Sequence, residues 1–358
     1  MNLSNALRHA VFFKQKPLVL KKVLQGYFKG FILRQPVLRT VDFAVTNLCN
    51  SKCKMCSAHL LYKDSEKNIL NPEEVVDVFL QASKLGAIHV NLTGGEPLLR
   101  NIDELCYIIS HINPKKHLIS MVTNSLLLDR KRLEKLKQAG LDTIQLSIES
   151  LDSEVNDEIR GVPGHLDKVM RALDIAKKEG LIVCLSTVLN HSNFDEVRNI
   201  IDFVERQEYK DIFVLINPVS ASGELAGQTE IKLTAKDLEE YHKLLKIGFV
   251  RADTIVNFSG KSGCPAGKER IHITAYGDVI TCPHVQISYG NVKKEPLKLI
   301  WKKMYNFSYL KKYSSECKHV FDEEYYDKLL KPIENIKKLP VSIQDHPVVG
   351  EEFRLNIK

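Results

Sequence analysis

Six short apolar segments rich in β-branched residues alternate along this chain with amphipathic stretches of helix length. They run from Val41 to Thr46, Ile88 to Thr93, His117 to Val122, Thr143 to Ile148, Ile182 to Val188 and Ile212 to Ile216. Parallel strands need a crossover connection, so this alternation predicts an α/β fold with a parallel sheet. The first helical stretch opens with Asn71-Pro72-Glu73-Glu74, a cap residue, a proline suited to the first turn and two acids. In parallel α/β barrels the reacting groups sit on loops at the carboxyl ends of the strands. Here those loops carry, in order, three cysteines, Gly94-Gly95-Glu96-Pro97, Thr123-Asn124-Ser125, Glu149-Ser150, Leu189-Asn190 and Asn217-Pro218. All six polar clusters fall on one rim.

The cysteines are Cys49, Cys53 and Cys56, with Met55 between the last two. A C-x3-C-x2-C loop can bring three thiolates to one 4Fe-4S cluster and leave the fourth iron free for a substrate. A zinc knuckle completed by His59 is the alternative for the triplet alone. It predicts no series of polar loops on five further strands.

Over residues 41 to about 220 these motifs resemble the radical S-adenosylmethionine (radical SAM) enzymes. The resemblance implies a partial (β/α)6 barrel of the TIM type over residues 41–225. It makes Cys49, Cys53 and Cys56 the catalytic cluster ligands, with Met55 standing where the family often has an aromatic residue. By the same resemblance SAM chelates the free iron, the backbone at Gly94, Gly95 and Glu96 receives its ammonium group, and Ser147 and Glu149 meet its ribose and carboxylate. Asn190 matches a ribose contact, Asn124 joins this cofactor set, and Arg160 can pair with the SAM carboxylate. The implied reaction starts with one electron from a flavodoxin- or ferredoxin-type donor. SAM is then cleaved to methionine and a 5'-deoxyadenosyl radical, which abstracts a hydrogen atom from a substrate C–H bond.

A second cysteine group follows. Cys264-x12-Gly277-x4-Cys282, then Gly290-Asn291-Val292, Leu299-Ile300-Trp301 and Cys317, resembles the SPASM and twitch extensions of radical SAM enzymes. This small β-hairpin and helix domain, with its helical linker, is expected over residues 226–330. Too few cysteines remain for more than one auxiliary iron-sulfur cluster. Cys264, Cys282 and Cys317 are its expected ligands, and His319 stands where the family often has a closing cysteine. His284 is a second candidate, and a fourth iron open to substrate is the alternative. Ile271 to Cys282 reads as a hairpin turning at Tyr276-Gly277-Asp278. Cys106 and Cys184 read as small buried hydrophobes.

Charge is placed unevenly. Residues 1–40 hold eight Lys or Arg and no acid, whereas the other 318 residues carry 43 bases against 44 acids. Within this leader Leu20, Val23, Leu24, Tyr27, Phe28, Phe31 and Ile32 recur at helical spacing, with Lys21, Lys22, Gln25 and Lys29 turned elsewhere. Such a helix either lies on an anionic membrane surface or packs its apolar face on the barrel with its bases in water. No nucleic-acid recognition module is visible. Residues 331–358 read as an extended tail able to wrap the cluster domain through Val341, Ile343 and Phe353.

Thiolate-bound clusters and the lack of a signal peptide suit a cytoplasmic protein, with the leader at the inner membrane face. The leader favours a lipid, lipid-linked or carbohydrate metabolite as substrate. The other readings are a peptide-modifying enzyme and, in a different class, an iron-sulfur protein that transfers electrons or senses redox state.

Overall fold

The computed structural model describes residues 16–62 and 68–356. The six expected strands form, as β1 (Thr40–Ala44), β2 (His89–Thr93), β3 (Leu118–Thr123), β4 (Thr143–Ser147), β5 (Ile182–Leu189) and β6 (Ile212–Pro218). Each pairs in parallel with the next. Helices Pro72–Lys84, Ile102–His111, Arg130–Ala139, His165–Lys178 and Phe194–Glu205 are the main helices of the crossovers. The first is fixed at its start as the sequence predicts: Asn71 accepts from the Glu74 N–H while Glu74 accepts from the Asn71 N–H.

Three strands state the layering directly. Along β2, β3 and β4 most of one set of alternate residues is buried under the helices, and the other set is half-buried on the inner face. The inner set includes His89, Asn91, Ser120 and Gln145, which line a lumen cavity of about 410 Å³. Leu118, Ile182, Ile212, Phe213 and Leu215 line the same cavity, so the partial barrel has an apolar outer layer and a mixed interior with a few polar groups.

Beyond β6 the chain adds β7 (Val250–Arg251), parallel to β6, and an antiparallel pair, β8 (Ile255–Val256) and β9 (Ser262–Gly263). The expected hairpin is β10 (Arg270–Ile273) and β11 (Val279–Ile280). It does not stand apart from the barrel. Strand β10 pairs in parallel with β1, giving one nine-stranded sheet in the order β11-β10-β1-β2-β3-β4-β5-β6-β7. An unpaired β1 edge would leave a row of backbone donors and acceptors bare. The seam carries a charge pair, with Arg270 Nε 2.5 Å from Asp42 Oδ2. Burial works to raise the Asp42 carboxyl, but Arg270 outweighs it and holds the group below its usual range.

Two expectations need correction. Residues 331–356 are not an extended tail: they form short turns, β13 (Val341–Ser342) paired with β12 (Ile287–Ser288), and the helix Gly350–Asn356. Val341, Ile343 and Phe353 are buried, and Phe353 meets Tyr289 and Phe307 edge-on. The apolar residues drive this compaction, because an extended strip would leave them in water.

The leader meets the packing alternative only in part: Val23 and Tyr27 pack on Phe258, but most of the stripe does not. Its helix, Pro17–Tyr27, continues as a wider turn, Phe28–Ile32. It docks through Val19, the glycines Gly26 and Gly30 against Phe258, and two lysines, while Leu24, Phe28, Phe31 and Ile32 face solvent. Lysine stems reach buried acceptors that apolar side chains cannot satisfy. Lys16 Nζ lies 2.6 Å from Asp142, and Lys22 Nζ donates to the Ala87 carbonyl at 2.7 Å. Among the described residues no helix is long and apolar enough to cross a membrane.

Candidate active site

The cysteine loop follows β1 and is gripped from three sides by backbone that only glycine allows so near. A Cβ on Gly95 would overlap the Leu48 carbonyl oxygen, and one on Gly223 would overlap that of Cys56. A Cβ on Gly94 or Gly161 would come within 2.5 Å of the Thr46 or Lys52 carbonyl oxygen. Hydrogen bonds complete the grip. The N–H groups of Gly95, Glu96, Lys54 and Glu224 respectively bond the carbonyls of Thr46, Leu48, Ile159 and Cys56. Asn124 Nδ2 donates to Asn50 Oδ1 at 2.7 Å and Ser51 Oγ at 2.9 Å, and Asn47 Nδ2 donates to the Tyr276 hydroxyl at 2.9 Å.

Glu96 is buried and its carboxylate is fully engaged inside the protein. Oε1 accepts from Thr123 Oγ1 and the Leu98 N–H, and Oε2 accepts from the Asn124 N–H. Its side chain therefore ties the β2 loop to the β3 loop, leaving ligand contact at this motif to the backbone. Asn190 behaves similarly, its Oδ1 accepting from the N–H and hydroxyl of Ser192. Ser147 ends β4 on the lumen face in register with Ser186.

Glu149 and Arg160 form a buried pair, Nη1 to Oε1 at 3.3 Å. Glu149 also accepts from the Val188 N–H, and its own N–H donates to Asn156 Oδ1. Burial lifts the Glu149 carboxyl to about 7, with Arg160 pulling the other way. Arg160 is charge-coupled to all three cysteines, and its buried Nε has no hydrogen-bond partner among the described residues. A buried guanidinium N–H without an acceptor is costly, and it suits an anionic ligand group arriving beside the cluster loop.

The donor set fits an iron-sulfur cluster. Burial raises the Cys49 and Cys53 thiols and lifts Cys56 to about 11, so these groups give up protons when they ligate metal. Nearby Arg160 favours the thiolates. Among the described residues no three His, Cys, Asp or Glu side chains are gathered closely enough to hold a single ion. His59 is instead turned to Glu224, at 3.3 Å.

Cys264, Cys282, Cys317, His284 and His319 share a second, small cavity of about 70 Å³. Cys317 Sγ is 3.3 Å from His319 Nδ1, and the His284 and His319 rings stack at 4.5 Å. A hydrogen bond between Cys264 and Cys317 brings the first thiol down to about 6 and pushes the second up. Burial lifts Cys282 to about 12. It also depresses both histidines, His284 to about 4, keeping their imidazoles neutral and free to ligate. Asp253, Pro265 and Arg270 line both this cavity and the lumen cavity. Cys184 is buried in β5 as expected, whereas Cys106 is only partly buried.

Several supporting residues have weak sequence signals. Asp42 is an acid in mid-strand, and Asn156 is a buried amide inside the helix Ser153–Arg160; each is a polar residue where an apolar one is the default. Arg100 donates to the Val45 and Leu70 carbonyls and Gly223 packs on Cys56, contacts that no local pattern announces.

Comparison with known proteins bears on the family and the fold. The family model of the Radical SAM superfamily matches residues 43–204, and the SPASM model, an iron-sulfur cluster-binding domain, matches residues 264–319. A probable GTP 3',8-cyclase of Methanosarcina mazei is 32% identical over 257 residues, 67% of this chain and 75% of the relative. The PqqA peptide cyclase of Rhizobium meliloti is 28% identical over 276 residues, 72% of each chain. Among solved structures, Streptococcus suis SuiB bound to S-adenosylmethionine superposes with a TM-score of 0.56 at 19% identity. That match covers 74% of this chain and 66% of SuiB, just under two thirds. Native anSMEcpe with bound AdoMet gives 0.57 at 16% identity, covering 89% and 95%. At these identities the two structures speak for the fold alone.

Proposed function

The chain belongs to the radical SAM superfamily and carries a SPASM iron-sulfur domain, and from that premise we propose that it removes a hydrogen atom from a polar substrate held in its barrel lumen. The observation that carries this reading is the lumen lining. Asp42 lies at the β1 seam, His89, Asn91, Ser120 and Gln145 face the 410 Å³ cavity, and Arg270 joins them from β10. The Asn91 Oδ1 atom is buried without a partner among the described residues. The unpartnered Asn91 Oδ1 suits a hydroxyl, amide or ammonium donor on the substrate, while Leu118, Ile182, Ile212, Phe213 and Leu215 on the same wall suit its apolar part. The lipid preference drawn from the leader has no counterpart in this lining, and a substrate carrying hydrogen-bonding groups is proposed in its place.

Cys49, Cys53 and Cys56 would hold a 4Fe-4S cluster, which would supply the electron for reductive cleavage of SAM and so the means of hydrogen abstraction. The chain's own residues prepare that event. Arg160 offers its free Nε to the SAM carboxylate, and Glu149 balances the guanidinium. Asn124 and the glycine contacts hold the cysteine loop in place, and Ser147 meets the ribose. The cavity at Cys264, Cys282, Cys317 and His319 holds one auxiliary cluster, with His319 as fourth ligand; its contact with Cys317 supports this choice. A flavodoxin- or ferredoxin-type protein serves as electron donor.

A second reading, peptide modification, is favoured by the PqqA peptide cyclase relative. One experiment separates the substrate classes. The reconstituted enzyme is incubated with SAM, reductant and fractions of a cell extract, and 5'-deoxyadenosine is measured. Stimulation by the protease-resistant aqueous fraction is expected. Stimulation destroyed by protease establishes the peptide reading, and stimulation by the organic phase alone refutes the polar lumen argument.

A further inference from the structure

The leader helix packs Val23 and Tyr27 of its apolar stripe on Phe258 and leaves the rest of the stripe bare. Of the 17 large hydrophobic side chains exposed among the described residues, eight lie between Leu18 and Leu33. Leu24 and Phe31 are each 61% exposed, and Phe28 and Ile32 nearly as much. A cluster this dense on an otherwise ordinary surface marks an interaction site. The helix is not a loosely attached segment. Lys16 and Lys22 anchor it at the amino-terminal ends of the strands, near Ala87, His117 and Asp142. Gly26 presses on the Phe258 ring and Gly30 on its Cβ and carbonyl, and Tyr27 meets that ring edge-on at 5.1 Å. The apolar stripe is thus presented outward from a fixed support.

The charges beside the stripe narrow the partner. Lys21, Lys29 and Arg34 are exposed and pair with no carboxylate among the described residues. Residues 1–15 add Arg8 and Lys14 and no acid. Exposed leucine and phenylalanine beside unpaired cations, without one acid over 40 residues, suit a surface that is apolar below and anionic above. We propose that the leader helix docks on an anionic lipid bilayer, with Leu24, Phe28, Phe31 and Ile32 beneath the headgroups and its unpaired cations at the phosphates. Docking at the amino-terminal ends of the strands leaves the opposite rim, with the cysteine loop, turned away from the lipid. The proposal concerns the outer face of the leader helix and uses none of the residues that line the lumen cavity.

The test uses the full chain and two vesicle types, phosphatidylcholine alone and phosphatidylcholine containing phosphatidylglycerol. Co-sedimentation is expected with the anionic vesicles, weakening as salt is raised. The double variant Leu24→Glu/Phe31→Glu should reduce partitioning by at least ~100-fold, since each side chain forfeits its apolar burial. Both positions are exposed and lie outside the cluster site, so circular dichroism and SAM cleavage should match the unaltered protein. In a Phe31→Trp variant, emission should shift to the blue on anionic vesicles and be quenched by brominated acyl chains. Equal sedimentation with both vesicle types, or sedimentation unaffected by the glutamates, overturns the proposal. So does a lipid-free dimer abolished by the glutamates without vesicle binding, which would make a second copy the occupant. An introduced indole that is already shielded without lipid and indifferent to vesicles would overturn it too, and would mean that residues 1–15 cover the stripe.

Discussion

Replacing Arg160 with leucine should destabilise the metal-free protein in a way that depends on pH, and the dependence can be worked out from Glu149. In the fold this carboxyl sits near 7, raised by burial and restrained by the guanidinium 3.3 Å away. Unfolded, a glutamate titrates near ~4.3. A carboxyl raised in the fold contributes most stability below its unfolded value, loses it as pH climbs, and loses no more once the folded value is passed. In the unaltered protein that loss ends near pH 7. Without Arg160 the folded value moves higher and the loss continues, at about 1.36 kcal/mol per pH unit. Arg160→Leu should therefore cost roughly 1 kcal/mol more at pH 8 than at pH 6, on top of a pH-independent loss of packing. Urea unfolding at the two pH values, read by circular dichroism, measures the difference. In a Glu149→Gln background the same substitution should cost equally at both. A pH-independent cost with Glu149 present, or a dependence that survives in the glutamine background, would refute the pairing argument.

Further expectations test other contacts. Gly95→Ala drives a methyl group into the Leu48 carbonyl, so it should cost about 1–3 kcal/mol in thermal or urea unfolding and lower the iron retained by the first cluster loop. Phe353→Ala removes a fully buried ring packed on Tyr289 and Phe307 and should cost about 3–5 kcal/mol; a neutral result would mean that the carboxyl-terminal helix is not part of the core. Cys282→Ala should leave SAM cleavage intact, abolish product and remove about four irons per chain, the content of one cluster of this type. His319→Ala should eliminate histidine nitrogen coupling from the pulsed EPR spectrum of the auxiliary cluster, while His284→Ala should leave it.

What the sequence conveys and what it withholds divide along local and non-local lines. The strand and helix alternation, the Asn71 cap and the rim of polar loops are written in runs of a few residues, and each lies where the pattern puts it. The cysteine spacing locates the site for the same reason. By contrast, the partnership of Asp42 with Arg270 joins residues 228 apart, and nothing near β1 indicates that its neighbour comes from the cluster domain. The functions of Gly161 and Gly223 depend on which carbonyl they meet, a fact of tertiary packing alone. The leader shows how periodicity can mislead. A stripe at helical spacing identifies an amphipathic helix, but which face docks is decided by the lysine acceptors at Ala87 and Asp142 and by the fit of two glycines to Phe258. Likewise the motif at Glu96 points to a backbone contact, but that the Glu96 carboxylate ties the β2 loop to the β3 loop through three donors is visible only in the fold.

The most direct test of the central claim is formation of 5'-deoxyadenosine from SAM by the anaerobically reconstituted, dithionite-reduced protein, measured beside its Cys53→Ala variant. The protein should produce 5'-deoxyadenosine and the variant none. Absence of cleavage by a protein holding a reducible cluster, or cleavage retained after Cys53 is replaced, would contradict the account.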